Sequence, residues 1–274
     1  MKVSKFLILF ALLSLVGTSC SEYNKVLKSN DLNYKFDMAK RYFERKKYNK
    51  AYPLFDELLN LYRGTAQAEE VYYYYSMNLY KMEDNLLAAY HFKNFYKTFP
   101  QSKYAEEAAF MTGYCYYLES PVYSLDQAYT LKAINELQLF INTHPRSSRI
   151  DQCNELIIEL RRKLERKNFE RAKQYYTTMQ YQAAVVALNN VLNDFPETKF
   201  REEILLLLLR SNYELARFSV ESKKLQRFIE TKTACDDFLE RYPESKFAKE
   251  AREIKERALS QIQFLKENQS EYGI

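Results

Sequence analysis

The stretch Phe99-Pro100-Gln101-Ser102-Lys103-Tyr104 constrains this chain more than any other, because it recurs. It returns as Phe195-Pro196-Glu197-Thr198-Lys199-Phe200 and as Tyr242-Pro243-Glu244-Ser245-Lys246-Phe247. A worn copy is His144-Pro145-Arg146-Ser147-Ser148-Arg149, and an earlier one, without the proline, is Tyr62-Arg63-Gly64-Thr65. Each copy closes one amphipathic run and opens another. Proline has no backbone N–H and cannot continue a helix, so it ends the first run. The Ser or Thr two residues on is expected to cap the next helix. Acidic pairs such as Glu106-Glu107 and Glu202-Glu203 then fall in a first helical turn, where the helix dipole favours them. A helix–turn–helix unit repeated along a chain is the mark of a solenoid.

Composition supports helices rather than sheet. Glycine (4) and proline (6) are too scarce for many tight turns, and 25 Tyr with 18 Phe supply packing bulk without any Trp. The formal charge of +5 falls by two when Lys2 and Lys5 are removed with a leader, and the charges are interspersed. So mild a balance does not argue for nucleic acid. The helical period gives Ala39 and Tyr42 before Ala51 and Phe55, then Ser76 and Leu79 before Ala88 and Phe92. Small residues facing bulky ones let antiparallel helices approach, in a pattern that resembles the tetratricopeptide repeat. The third unit needs extra residues between its helices, which the loop Ser120–Leu125 supplies. The fourth has a lengthened first helix, from about Ser148 to Met179, and the fifth a longer middle around Ser219–Lys224. The expected fold is all-α: a right-handed superhelical solenoid of about five helix pairs, closed by a polar-faced C-terminal capping helix.

The first residues read differently. Lys2 and Lys5 precede the apolar run Phe6–Leu13, then Val16-Gly17-Thr18-Ser19-Cys20 follows. A basic start, a short apolar core and small residues make a secretory signal. The cysteine makes it resemble a bacterial lipoprotein signal with a relaxed box, Gly17 standing where Leu is usual. Cys20 is then the lipidated residue. The expected organisation is a signal peptide over 1–19, a lipidated tether over 20–33, repeats 1–3 over 34–146, and repeats 4–5 with the capping helix over 147–274. Of the other cysteines, Cys115, Cys153 and Cys235, the odd count and absent spacing suggest small buried apolar residues, not a disulfide framework or a metal site.

Catalytic patterns are missing from the sequence. No Ser/His/Asp set, His-x-x-x-His or glycine-rich phosphate loop is present, and no cofactor is expected. His144 takes the aromatic place before Pro145, and His91 is expected to face solvent. Four successive tyrosines, Tyr72 to Tyr75, are too many for a core to take whole. Two of those four are expected to face a concave surface, and by helix position and chemistry Tyr42, Tyr72, Tyr73, Tyr75 and Tyr80 are the candidates for an aromatic groove there. Arg161, Arg162, Arg166, Arg210 and Arg217 are candidates for a partner face.

A lipoprotein signal followed by five such repeats resembles the BamD family, outer-membrane lipoproteins of the β-barrel assembly machinery. The resemblance is carried by Thr18-Ser19-Cys20, Lys50–Phe55, Phe99–Ala105, the insertion at Ser120–Leu125 and Leu209–Ala216. It implies a non-enzymatic role on the periplasmic face of the outer membrane, anchored through the N-terminal lipid. The implied partners are a BamA-type barrel protein, met by the C-terminal repeats, and unfolded outer-membrane proteins, met by the N-terminal ones. Two other classes resemble parts of this pattern. SusD-like glycan-binding lipoproteins are longer and use Trp, whereas periplasmic tetratricopeptide scaffolds of cell-wall processes usually lack the lipid.

Overall fold

The computed structural model describes residues 22–271, and the signal segment with Cys20 lies outside them. Every regular element among the described residues is a helix. A short helix, α1, covers residues 22–27. It is followed by α2 (Leu32–Glu44), α3 (Tyr48–Leu61), α4 (Ala68–Lys81), α5 (Asn85–Thr98), α6 (Ala105–Leu118) and α7 (Ala128–Thr143). Then come α8 (Ile150–Thr177), α9 (Tyr181–Asp194), α10 (Arg201–Arg217), α11 (Glu221–Arg241) and α12 (Ala248–Glu271). The chain divides into two compact units inside α8, after Leu160.

In the first unit each of α2 to α6 packs on the next helix, as far as α7. Phe55, Phe92, Phe95 and Phe140 are fully or almost fully buried, with Ala39, Ala51, Ala88 and Ala133 as the small residues they close against. Burying one such ring contributes roughly 1.5–3 kcal/mol. At the approach of α6 to α7, a Cβ added at Gly113 would stand 2.9 Å from Leu137 Cγ and Cδ2. In the second unit, Phe169 and Ala172 of α8 pack with Ala184 and Leu188 of α9, and α10, α11 and α12 follow on. Cys115, Cys153 and Cys235 are all free and buried, as small apolar residues should be. Burial pushes the Cys115 and Cys235 thiols up to about 12 and the Cys153 thiol up to about 11.

The recurrent motif does more than cap. Ser102, Ser147, Thr198 and Ser245 each accept a hydrogen bond from the N–H two residues on, so the hydroxyl closes the turn before the helix. This corrects the capping expectation: the N-cap positions of α6 and α10 are Tyr104 and Phe200, which lack a side-chain cap. The same hydroxyls donate to a glutamate of the preceding repeat. The four bonds are Ser102 to Glu69 (2.5 Å), Ser147 to Glu106 (2.6 Å), Thr198 to Glu165 (2.5 Å) and Ser245 to Glu202 (2.6 Å). Two residues past each hydroxyl, a flat group covers the side chain one turn beyond that glutamate. Tyr104 stacks on Tyr73 at 4.0 Å, Phe200 on Phe169 at 4.5 Å, and the Arg149 guanidinium sits 4.4 Å over Phe110. Phe247 packs with Leu206 in the fourth case.

The second acid of each pair reaches the other way. Glu70 meets Lys40 at 3.5 Å, Glu107 accepts from Tyr73 at 2.7 Å, and Glu203 meets Lys173 at 2.7 Å. First-turn Glu-Glu pairs thus tie each repeat to both neighbours. Because Glu165 takes the first-turn role, the residues of α8 before it are an extension ahead of an ordinary repeat helix.

Two boundaries depart from expectation. The tether is partly helical, because Tyr23 and Val26 share one face of α1 and both pack on the first pair. The fifth unit has no long middle: only 218–220 separate α10 from α11, and the added residues lengthen α11 instead. The α6–α7 loop is found as expected, and Gln127 ties it by donating to the Val122 and Leu125 carbonyls, both at 2.9 Å.

Candidate binding surfaces

The five candidate tyrosines do not form one groove. Tyr42, Tyr73 and Tyr75 are buried, at 6%, 8% and 4% exposure, so these rings belong to the core. Tyr42 lies beneath Tyr23 of α1, ring centres 5.5 Å apart. Tyr73 is fixed by Tyr104 and by donating to Glu107, and burial together with that carboxylate raises its phenol far above the ordinary range. Tyr75 stacks on Tyr52 at 5.8 Å and meets His91 edge-on at 4.9 Å. Tyr72 is half-buried, with its hydroxyl 3.3 Å from His91 Nδ1. His91 is therefore not the solvent-facing residue expected: it sits among Tyr72, Tyr75 and Tyr90, and burial holds its pKa below the ordinary 6.5.

Tyr80 alone of the five opens onto a further aromatic row. It meets Tyr114 edge-on at 6.3 Å. Tyr114 lies stacked between Phe110 at 5.6 Å and Tyr117 at 5.9 Å, and the Tyr117 hydroxyl donates to Glu159 at 2.8 Å. The Glu159 carboxylate, then burial, pushes the Tyr117 phenol up to about 12. Tyr80, Tyr114 and Tyr117 are each only partly buried, which leaves a row of ring edges on α4 and α6. Sequence reasoning missed Tyr114 and Tyr117. Their signal was the spacing Phe110, Tyr114, Tyr117 on a helix whose opposite face, with Ala108 and Cys115, is also apolar. A helix apolar on both faces either is wholly buried or presents a second surface.

The five arginines differ in their exposure. Arg161, Arg162 and Arg166 are exposed on α8. Arg210 is held within the unit, its Nε and Nη2 donating to the two Glu250 oxygens at 2.6 Å each. That bidentate pair joins α10 to α12 and makes Arg210 a bracing residue. Arg217 is exposed, pairs with Glu214 at 2.9 Å and lies over the Phe218 ring at 5.5 Å.

The second unit also carries an open apolar groove of about 1030 Å³ between the later half of α8 and α9. Tyr175, Ala183 and Ala187 form its floor and walls, and Asn168 and Asn190 stand at one end. Its rim holds Met179, Val186 and Phe218, which are 74%, 57% and 73% exposed. Phe218 lies parallel to Tyr181 at 6.2 Å. Grouped apolar exposure of this kind marks interaction surfaces, where scattered residues would not. Among the described residues no cluster of three His, Cys, Asp or Glu side chains is placed to hold a metal ion, and no helix is long and apolar enough to cross a membrane.

Comparison with known proteins gives one family. Residues 29–227 match YfiO, described as outer membrane lipoprotein. Among solved structures, the TPR2AB domain of yeast Sti1 in its pHSP90 complex is 12% identical, covering 83% of this chain and 98% of that one, with a TM-score of 0.39. A Podosopora anserina protein of the kinesin light chain type, with nearly identical TPR-like repeats, is 14% identical over 85% of this chain and 96% of that one, with a TM-score of 0.33. No curated protein sequence matches the chain.

Proposed function

The chain belongs to the YfiO family of outer membrane lipoproteins, and from that premise we propose that it is a non-enzymatic scaffold of the β-barrel assembly machinery. In this reading Cys20 carries the lipid and the repeats face the periplasm. They bind a BamA-type barrel protein and unfolded outer-membrane proteins on their way to insertion. The observation that carries the reading is the family match itself, which runs through the repeats from just ahead of α2 into α11.

The surfaces suit binding without chemistry. The aromatic row of Tyr80, Tyr114 and Tyr117 offers ring edges and one carboxylate-held hydroxyl to an extended apolar–aromatic peptide. Stiff side chains of this type give contact area with few rotamers to freeze. We assign the substrate role to this row and to the accessible edge of Tyr72, whereas Tyr42, Tyr73 and Tyr75 serve as core rings. For the barrel partner, Arg161, Arg162, Arg166 and Arg217 remain candidates, because exposed guanidinium groups can meet partner carboxylates bidentately. Arg210 contributes by holding α10 against α12.

The test is affinity purification of the full-length chain from outer membranes in mild detergent. A barrel protein with periplasmic repeat domains is expected in stoichiometric amount. Recovery of the chain without any such protein would overturn the reading. Tyr114→Ala with Tyr117→Ala is expected to weaken a bound aromatic-ended peptide by about 1–3 kcal/mol in anisotropy titrations, as removal of aromatic anchors does elsewhere.

A further inference from the structure

The chain contains one arrangement twice. From Lys35 to Glu69 and from Asn168 to Glu202 the residues run in one register without a gap. Phe36, Ala39, Tyr42, Tyr48 and Ala51 correspond to Phe169, Ala172, Tyr175, Tyr181 and Ala184. Lys46 and Met179, which also correspond, share the left-handed backbone, with φ of 56° and 59°. The two helix pairs, α2 with α3 and α8 with α9, are therefore built to one plan, and what one pair binds informs what the other is shaped to bind.

In the first pair the seat between the helices is filled by α1. Tyr23 stands on Tyr42, and its hydroxyl donates to the Lys50 carbonyl at 3.2 Å. Val26 is completely buried. Lys35, with only 2% of its side chain exposed, closes the end of the helix. It donates to the Leu27 carbonyl at 3.2 Å and to Glu57 at 2.7 Å. The corresponding positions in the second pair are Tyr175 for Tyr42, Ala183 for Lys50, Asn168 for Lys35 and Asn190 for Glu57. All four line the open groove.

We propose that this groove receives a short amphipathic helix from a partner protein. That helix carries an aromatic residue with an aliphatic one three positions on, and lies in the sense that α1 lies on the first pair. The floor ring is kept as Tyr175. The change from Lys50 to Ala183 widens the seat. The ion pair of buried Lys35 with Glu57 at the surface becomes two neutral amides, so Asn168 can donate to the last carbonyls of an arriving helix without demanding a charge from it. Met179, Val186 and Phe218 give the apolar rim that such a helix would cover. A second copy of this chain is the poorer occupant, because its own α1 is already seated on its first pair. The inference rests on the scaffold reading, since a partner must supply the helix.

The test places a benzoylphenylalanine crosslinker at Phe218 in the full-length, membrane-anchored chain and maps the adduct by mass spectrometry. The expected adduct is a helical segment of one partner bearing the aromatic–x–x–aliphatic pattern. Val186→Glu, at an exposed rim position that does not threaten folding, is expected to cut its yield about tenfold or more by placing a charge in an apolar contact. Ala183→Trp fills the seat and is expected to do the same, with the thermal melt of each variant reported beside it. Adducts only with lipid, with a second copy or with an extended strand would overturn the proposal, as would a yield that Val186→Glu leaves unchanged. Co-purification of the barrel protein without the groove adduct sinks this inference alone, and failure of co-purification sinks the scaffold reading.

Discussion

Thr198 and Glu165 are 7% and 8% exposed, so their hydrogen bond is the most sheltered of the four hydroxyl-to-glutamate links. Removing the donor there strands a carboxylate that cannot easily reach water. Thr198→Val is therefore expected to cost about 2–3 kcal/mol, the range for a hydrogen bond to a charged group left unpaired. Ser102→Ala, at a half-exposed copy, is expected to cost nearer 1 kcal/mol. Urea unfolding of the two variants side by side checks the order, and equal costs would count against the buried link. His91 supplies a pH test. Its folded pKa is depressed by burial, so the folded state binds the proton less readily than the unfolded one. The stability this contributes is in place above the unfolded pKa, near 6.5, and is lost as the pH falls through it toward the lower folded value. His91→Phe is expected to flatten the decline of melting temperature below pH 6.5. An unchanged slope would place the responsible group elsewhere.

Gly113 lets α6 and α7 meet, and the added methyl of Gly113→Ala would press on Leu137, whose backbone N is itself 3.1 Å from it. A backbone neighbour cannot step aside, so a loss of about 1–3 kcal/mol is expected in thermal or urea unfolding despite alanine's better helix propensity. At the turns, Lys46, Glu83 and Met179 all take positive φ. The Lys47, Asp84 and Gln180 N–H groups each reach back five residues, to the Tyr42, Leu79 and Tyr175 carbonyls. These are αL-terminated helix ends with the wrong residue for the conformation. Glu83→Gly is expected to raise stability by about 0.5–1 kcal/mol, and a loss would show that the side chain matters more than the backbone. The helices themselves were legible because a 3.6-residue period survives in the letters, with proline marking its ends. Which tyrosines were core was not legible, since Tyr72 to Tyr75 sweep once around α4 and only its neighbours decide which sides are covered. Nor were the forward and backward roles of Glu69-Glu70 and Glu106-Glu107 visible. A first-turn acid looks the same whether it answers a dipole or a serine thirty residues on. The rim of Met179, Val186 and Phe218 escaped notice because its members sit apart in the sequence, in the α8–α9 turn, in α9 and in the α10–α11 turn.

On the scale of the whole molecule, the chain spends its regular residues on packing and its irregularities on surfaces. The extension of α8, the loop after α6 and the seat beside α9 are the places where the repeat plan is broken or left open. The loop lies within the first unit and the seat within the second, and each can be tested there. What would unite them is the role we propose, as scaffold of outer-membrane barrel assembly, and depletion measures that role most directly. When the chain is withdrawn from growing cells, heat-modifiable folded forms of unrelated outer-membrane barrels are expected to disappear together, with their unfolded forms accumulating in the periplasm. Undiminished folded barrels after the chain has gone would contradict it.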